Sequence, residues 1–370
     1  MLIYSKTKRE FMEDMDNDVL VDTLIETLRK KMHRNTPRSE ITSWENSLIH
    51  MYKVLNTDIP GNCGVAIEYN VPLTAKRVDF IISGYDAEGI EHADIIELKQ
   101  WTEATKVSGQ DAVVNTYTGG AFRNVAHPSY QAWSYAQLIA DYNSSVQDRD
   151  IVLHPCAFAH NYQIDGTAAL ADSDFQEYLE RAPLFGKHEN SKLRTFIKQN
   201  LKCGDNGAVL EHIEHGKLRP SKSLQDSLKG MLKGNDEFVL IDSQKVFYEK
   251  ALQLAHDARM NDKKVVYIVE GGPGTGKSVV AINLLAELTI TGQVAAYVSK
   301  NSAPRNVYST ELKGTRSKKS IDALFRGSGA FYETDSNVFD VLIVDEAHRL
   351  NEKSGLYSNL GENQIKEALR

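Results

Sequence analysis

The sequence predicts an α/β fold built in two parts. In the first part, an opening helical segment precedes three apolar runs that predict strands, near residues 64–71, 77–83 and 93–99. A helix near 129–142 and another strand near 151–159 follow. After residue 236, strands, loops and helices alternate, which is typical of a parallel sheet with crossover helices. We therefore expect one α/β domain at 1–180, a turn-rich connecting region at 181–235 and a second α/β domain at 236–370.

Composition places the chain among ordinary globular proteins. Its 370 residues are 41% hydrophobic and 25% charged, which is enough for two domains with separate cores. The N-terminus is too polar for a signal peptide and no apolar run is long enough to cross a membrane, so we expect a cytoplasmic protein without a membrane partner. The net charge of −7 excludes a uniformly basic nucleic-acid surface. Cys63, Cys156 and Cys203 lack the spacing of a zinc site or a disulfide framework.

A glycine-rich loop opens one helix of the second part. Residues 271–278 read GGPGTGKS and follow the apolar run 265–269, which we predict to be a strand. Glycines allow successive backbone N–H groups to point at phosphates at a helix N-terminus, where the helix dipole favours negative charge. We expect Lys277 on the β- and γ-phosphates and Ser278 on Mg²⁺. The residues predicted to bind the nucleotide here are Gly271, Gly272, Pro273, Gly274, Thr275, Gly276, Lys277 and Ser278.

A second apolar run, residues 341–344, leads directly into Asp345 and Glu346 of a DEAH sequence. A buried strand that ends in two acidic residues is the Walker B arrangement. We expect Asp345 to hold Mg²⁺ through water and Glu346 to orient or deprotonate the attacking water, because phosphoryl transfer depends mainly on positioning and charge stabilisation. The two motifs together predict that the chain binds a nucleoside triphosphate.

The first part carries a different set of polar residues. Glu97 and Lys99 alternate along one predicted strand, so they share a face, and Asp79 reaches that face if its own strand is the neighbour. Two carboxylates suit Mg²⁺ or Mn²⁺, and a lysine beside them can position water or stabilise charge on a phosphate. We predict Asp79 and Glu97 as metal ligands and Lys99 as a catalytic group. The alternative is an ordinary surface ion pair between Glu97 and Lys99.

Further polar residues stand out on neighbouring predicted elements. Gln131 and Tyr135 lie four positions apart on the predicted helix 129–142, a spacing at which side chains are neighbours. Glu45, on the opening helix, and Glu68, on the preceding strand, are further acidic candidates. Thr42 and Glu45 also match a capping box, and we favour that structural role for Glu45.

These motifs carry a resemblance to known families. Asp79, the sequence ELKQW that begins at Glu97 and the Gln131/Tyr135 pair resemble RecB-like PD-(D/E)XK nucleases, in which the helix after the Glu-x-Lys strand lines the active site. Asp242-Ser243-Gln244, GGPGTGKS and VDEAHRL resemble Schlafen group 3-like, superfamily 1-type helicases, whose core contains RecA-like lobes. The resemblance covers most of the chain. It implies that Gln244, 33 residues before Lys277, reads the adenine of ATP, and that residues 297–301 contact single-stranded nucleic acid.

The resemblance also sets expectations about function. It implies a nuclease coupled to an ATP-binding helicase-like lobe in nucleic-acid processing or phage defence, acting on single- or double-stranded DNA or on RNA. Only 25 residues follow Asp345 among the 370, so we expect only the first RecA-like lobe. The chain is then a fragment, or a short form completed by a partner protein. The alternative function is a regulatory ATPase that binds nucleic acid or a partner without cleaving it.

Overall fold

A computed structural model describes residues 2–33, 35–71, 74, 76–219, 230–232, 238–272, 274–312, 318–331, 334–350 and 364–369. The chain divides into two compact units. The first comprises Met1–Ser221 with Ile241–Ser243, and the second comprises Lys222–Leu240 with Gln244–Arg370. Both units mix helices with strands, so the predicted α/β class is confirmed at this level.

A six-stranded sheet forms the centre of the first unit. Its strands, in their order across the sheet, are β1 (Tyr4–Thr7), β2 (Gly64–Asn70), β3 (Arg77–Tyr85), β4 (Glu91–Lys99), β8 (Val152–Ala159) and β9 (Leu184–Phe185). The first four strands are antiparallel neighbours, whereas β4, β8 and β9 run parallel. The strands predicted near 64–71, 77–83, 93–99 and 151–159 are all present in this sheet.

Helices cover both faces of the sheet because side chains alternate along each strand. One face, which includes Phe80 and Ile96, packs on the opening helices. These are α1 (Lys8–Asp16), α2 (Leu20–Met32) and α3 (Arg38–Leu55). The other face, which includes Ile81 and Ile95, packs on later helices. These are α4 (Pro128–Tyr142), α5 (Ser144–Arg149) and α8 (Ala208–His215).

The opening helices begin at different caps from the one expected. Thr42 and Glu45 lie inside α3, whose N-cap is Pro37, so the predicted capping box at this position is wrong. A capping box is present at the start of α1, where Thr7 and Glu10 exchange hydrogen bonds with each other's backbone N–H. A sequence match to the box cannot tell a helix start from a helix interior.

The remaining elements of the first unit include part of the region expected to connect the domains. They are a second sheet of β5 (Thr105–Lys106), β6 (Val113–Thr118) and β7 (Ala121–Ala126), and the helices α6 (Gln176–Arg181) and α7 (Asn190–Asn200). Leu193 and Ile197 of α7 belong to one core of the unit, and Val209 of α8 belongs to the other. Residues 182–219 therefore pack with the first unit. Most of residues 220–237 lie outside the described residues.

The second unit contains a parallel sheet with the order β11-β10-β12. Its elements are α9 (Ser243–Asn261), α10 (Lys277–Ile290), β10 (Ala295–Val298), α11 (Ser302–Glu311), α12 (Lys318–Leu324), β11 (Phe325–Arg326), β12 (Val341–Val344) and α13 (Gln364–Ala368). Ile282 and Leu285 of α10 pack with Tyr297 of β10 in its core. The predicted parallel arrangement is thus present in three strands.

The apolar run 265–269 was predicted to be a strand, and this prediction is wrong for the structure described. The run has no strand assignment, and its five side chains are 40 to 75% exposed. A strand requires a neighbour that accepts and donates its backbone hydrogen bonds, which an apolar sequence alone does not provide.

None of the helices that the structure describes combines the length and the apolar character needed to cross a bilayer.

Candidate active site and nucleotide-binding loop

Three acidic residues occupy one row across the strands β2, β3 and β4. Ile67 pairs with Phe80 and Tyr69 with Val78, which places Glu68 opposite Asp79. Phe80 pairs with Ile96 in the antiparallel strands β3 and β4. Asp79 precedes Phe80 and Glu97 follows Ile96, so Asp79 lies opposite Glu97. Opposite residues of antiparallel strands share a face. The structure therefore brings Asp79 and Glu97 together as the sequence predicted, and it adds Glu68 to the row.

Lys99 lies beside Asp79 and Glu97 of this row. The Asp79 Oδ2 atom accepts a 2.8 Å hydrogen bond from the Leu98 backbone N–H, and Lys99 Nζ donates to Glu97 Oε1 at 2.5 Å. Burial, and then the nearby Asp79 carboxylate, raise the pKa of Glu97 well above its usual range. Burial also raises the pKa of Asp79, against the opposing effect of Lys99. The two carboxyl groups thus act as a coupled pair that favours holding a proton.

Lys99 stays charged within this group. Burial lowers the pKa of its ammonium, but Glu97 and Asp79 together outweigh burial, so the pKa is raised. The ammonium also lies 5.5 Å from the ring centre of Trp101. A half-buried lysine kept cationic by two carboxylates is suited to stabilise negative charge that develops on a substrate.

Glu68 is held in a strained backbone conformation. Its φ angle is +59°, which is costly for a residue with a side chain and occurs inside a strand. Trp44 Nε1 donates to Glu68 Oε1 at 2.7 Å, and Arg77 Nη1 lies 2.9 Å from Oε2. Burial, and then Asp79, raise the pKa of Glu68 to about 7. Both carboxylate oxygens of Glu68 therefore already have partners, Trp44 and Arg77. Glu45, the other acidic candidate, is exposed on α3.

Gln131 and Tyr135 lie side by side on α4, as their spacing predicted. Gln131 Nε2 donates to the Tyr135 hydroxyl at 3.0 Å. That hydroxyl donates to Asp242 Oδ2 at 2.6 Å, and Lys76 Nζ forms a 2.9 Å ion pair with the same oxygen. Burial, and then Asp242, raise the pKa of Tyr135 well above its usual value, and the negative charges of Asp242 and Glu97 both contribute. Tyr135 and Asp242 are therefore electrostatic neighbours of Glu97.

Sequence reasoning missed Asp242 as a residue of this site. It lies in the segment that was compared with helicase motifs, yet its described contacts are with Tyr135 and Lys76 of the first unit. Its φ angle of +40° is a second strained position beside the carboxylate row. No local signal relates residue 242 to residue 135. The neighbouring apolar residue Ile241 is buried in a core of the first unit, which is where the chain comes back to Tyr135.

The chemistry of the row fits a divalent cation at Asp79 and Glu97. Glu97 Oε2 is buried and has no hydrogen-bond partner in the described part of the chain, which leaves a carboxylate oxygen available to a cation. Mg²⁺ is usually held by one or two carboxylates together with water and substrate phosphates. No group of three or more His, Cys, Asp or Glu among the described residues is arranged to hold a metal ion.

The glycine-rich loop of the second unit leads into α10. Gly274 and Gly276 have φ angles of +73° and +80°, which orient successive backbone groups as a phosphate-binding loop requires. Lys277 Nζ donates to the carbonyls of Gly271 and Gly272 at 2.7 and 2.8 Å. Thr275 Oγ1 donates to the Gly272 carbonyl, and Pro273 lies outside the described residues.

Ser278 and Asp345, both predicted to act on Mg²⁺, are in direct contact. Ser278 Oγ donates to Asp345 Oδ2 at 2.9 Å, and the Tyr297 hydroxyl donates to the same oxygen at 2.6 Å. Burial and the Asp345 carboxylate raise the pKa of Tyr297 above its usual range. Tyr297 had been expected to belong to a nucleic-acid-contacting segment, so its bond to the predicted magnesium ligand was not anticipated.

Two more predicted residues lie around the loop. Gln244 Nε2 donates to the Thr275 carbonyl at 3.0 Å, and a Cβ atom at Gly276 would lie 2.4 Å from that nitrogen. Glu346 directly follows Asp345 with a φ angle of +55°, and its carboxylate lies 3.2 Å from His348 Nε2. Gln244 is therefore next to the loop, and Glu346 is at the end of the acidic strand.

Comparison with known proteins supports the helicase-like part. Residues 264–370 match the family described as Schlafen group 3, DNA/RNA helicase domain. No curated protein and no solved structure matches the chain. The matched segment contains Lys277, Ser278 and Asp345 but none of the first unit's carboxylates. The match therefore points to nucleic-acid-related ATPase activity for this segment, and the nuclease-like and RecA-like folds stay predictions.

Proposed function

We propose that the first unit hydrolyses phosphodiester bonds of nucleic acids with a divalent cation. The observation that carries this proposal is the carboxylate pair of the buried Glu97 and the half-buried Asp79, with a charged Lys99 beside it. One Glu97 oxygen, Oε2, has no hydrogen-bond partner among the described residues. Carboxyl groups with strongly perturbed pKa values cluster at functional sites. The pKa values of both carboxyl groups are raised, so keeping both groups ionised in this arrangement lowers the stability of the folded protein.

Each residue has a distinct part in the proposed reaction. Asp79 and Glu97 would hold the cation, and a bound cation would supply a lowered pKa of water and polarisation of the phosphate. Lys99 stabilises the negative charge that forms as the water oxygen attacks phosphorus and the bond to the leaving oxygen breaks. Tyr135, supported by Gln131 and Asp242, is a positioning residue on the α4 side.

The second unit, in this proposal, binds and hydrolyses ATP. The loop amides and Lys277 bind the phosphates, while Ser278 and Asp345 hold Mg²⁺. Glu346 orients the attacking water, and Gln244 contributes to adenine recognition. The direct contact of Ser278 with Asp345 is the observation that supports this assignment.

A cleavage assay tests the first unit. The full chain is incubated with Mg²⁺ or Mn²⁺ and with single-stranded DNA, double-stranded DNA or RNA, beside folded Glu97→Ala and Lys99→Ala variants. We expect cleavage of at least one substrate by the unchanged chain and its loss in both variants. Equal cleavage by the unchanged chain and the variants would exclude the carboxylate row as its source.

One observation favours a second candidate, a regulatory ATPase that binds nucleic acid or a partner without cleaving it. Glu97 is ion-paired with Lys99, and Glu68 with Arg77, as expected for a site that holds its charges within the protein. In that case the unchanged chain binds nucleic acid but cleaves none of the three substrates with either cation.

A further inference from the structure

The β6–β7 hairpin is an exposed projection of the first unit. Its tip is a two-residue turn at Gly119 and Gly120, whose φ angles of +58° and +81° fit a type I′ turn. Four consecutive residues of β7, beginning at Ala121, are exposed, so both faces of the hairpin tip meet solvent. A strand rises about 3.3 Å per residue, which puts Phe122 about 13 Å beyond Ala126 at the hairpin base.

Two aromatic side chains lie together at this tip. Tyr117 and Phe122 form a cross-strand pair with ring centres 5.4 Å apart and an interplanar angle of 74°. They are 55% and 60% exposed. Exposing two large rings on a projecting tip loses the burial that normally stabilises them. An isolated exposed ring needs no explanation, but a paired and projecting set indicates a binding surface.

Polar groups beside the rings fit nucleotide bases. Asn115 and Asn124 are opposite each other two positions nearer the hairpin base, so they share the face of the aromatic pair. Asn115 Nδ2 donates to Asn124 Oδ1 at 2.8 Å. Carboxamides can pair with base edges, and aromatic rings can stack on base faces. The face therefore offers both types of contact that an unstacked base requires.

The charge of the hairpin also favours a polyanion. Residues 113–126 contain no Asp or Glu and carry one positive charge, Arg123, in a chain whose net charge is −7. The Arg123 guanidinium donates to the Gly119 carbonyl at 3.5 Å and forms no ion pair with the described residues. Both rings and this cation are thus on an element that lacks the acidic side chains common elsewhere in the protein.

The hairpin base is firmly anchored. Val113, Val114 and Ala126 are buried, and Thr116 Oγ1 donates to the Glu103 carbonyl at 2.6 Å. In sequence the hairpin lies between β4, which carries Glu97 and Lys99, and α4, which carries the positioning residues. A fixed base with an exposed aromatic tip is suited to hold a substrate strand.

We propose that Tyr117 and Phe122 stack on bases of a single-stranded segment of the nucleic-acid substrate, while Arg123, which lies on the other face of β7, contacts a phosphate of the strand as it passes the hairpin tip. This inference rests on the proposed function of the first unit. A single-stranded segment is specified because bases within an intact duplex are stacked on each other and do not offer free faces to the rings.

Binding is measured by fluorescence anisotropy with a labelled single-stranded oligonucleotide, using the full chain in EDTA. We expect the Tyr117→Ala, Phe122→Ala double variant to bind at least about tenfold more weakly, because stacking contributes about 1–3 kcal/mol per base. Val152→Ala, a change at another exposed apolar residue, is the control and should bind normally. In the Arg123→Gln variant, the slope of the logarithm of affinity against the logarithm of salt concentration should become shallower by about the value of one phosphate contact.

The outcomes separate this inference from the proposed function. If the unchanged chain binds and cleaves nucleic acid but the double variant binds equally well, the hairpin assignment is wrong and the proposed function stands. If the unchanged chain neither binds nor cleaves any nucleic acid, both are wrong. Loss of vesicle binding or of self-association in the double variant, with unchanged oligonucleotide binding, would assign the tip to a membrane or to a second copy and overturn the proposal.

Discussion

Replacing Glu68 by Gln should make the stability of the first unit less sensitive to pH between 4.5 and 8. Burial, and then Asp79, raise the pKa of Glu68 from 4.5 to about 7. At about 1.4 kcal/mol per pH unit, that rise corresponds to roughly 3 kcal/mol. Glu68 is nearly fully buried, so solvent screening reduces this value little.

The sign follows from proton binding. Between pH 4.5 and about 7, the folded protein keeps a proton on Glu68 that the unfolded chain has released. The contribution of Glu68 to stability is therefore complete below pH 4.5 and is lost as the pH rises through about 7. Gln does not titrate. The free energy of unfolding of Glu68→Gln, relative to that of the unchanged chain, should rise by roughly 3 kcal/mol between pH 4.5 and 8.

Urea unfolding followed by tryptophan fluorescence measures this difference. The three tryptophans, Trp44, Trp101 and Trp133, all belong to the first unit, so the signal reports that unit alone. Glu45→Gln, a change at an exposed carboxylate on α3, is the matched control and should show no such gain. A difference between Glu68→Gln and the unchanged chain that stays constant from pH 4.5 to 8 would refute the reasoning.

Four further predictions concern the second unit. Lys277→Ala should abolish binding of a fluorescent ATP analogue, and retained affinity in a folded variant would contradict the phosphate-binding role. Ser278→Ala should remove the strengthening of nucleotide binding by Mg²⁺, so an unchanged Mg²⁺ dependence would count against a metal ligand there. Gly276→Ala should weaken nucleotide binding, because the position has a positive φ and its Cβ would meet Gln244; normal affinity would show that the loop can adapt. Tyr297→Phe should lower the free energy of unfolding of this unit by about 1 kcal/mol, because a part-buried hydrogen bond to Asp345 is lost. Hydrogen exchange of the unit's amides at increasing urea concentration measures this free energy, and an unchanged value would disprove the prediction.

The sequence predicted the sheet of the first unit well because the signals are local. Buried strands are apolar at successive or alternating positions, and the runs that became β2, β3, β4 and β8 follow this pattern. The shared face of Asp79 and Glu97 also follows from strand alternation once their strands are neighbours. The positions of Gln131 and Tyr135 follow from helical periodicity.

The rest of the site depends on distant contacts. Asp242 meets Tyr135 across 107 positions of the chain, and Tyr297 meets Asp345 across 48, so no local pattern contains either contact. The run 265–269 shows the opposite case, in which a strong apolar pattern predicts a strand that lacks a pairing partner in the described structure. Strain at Glu68 likewise appears only when the backbone angles are known.

Binding of Mn²⁺ without nucleotide, followed by electron paramagnetic resonance, tests most directly whether the carboxylate pair is a cation site. We expect the full chain to bind Mn²⁺ more weakly as the pH falls, because protons compete for Asp79 and Glu97. Glu97→Gln should weaken binding at least about tenfold, since loss of a residue that only supports a metal ligand already costs about 10- to 100-fold, whereas Ser278→Ala should not change it. Equal Mn²⁺ binding by the unchanged chain and Glu97→Gln would show that the carboxylate pair is not a cation site.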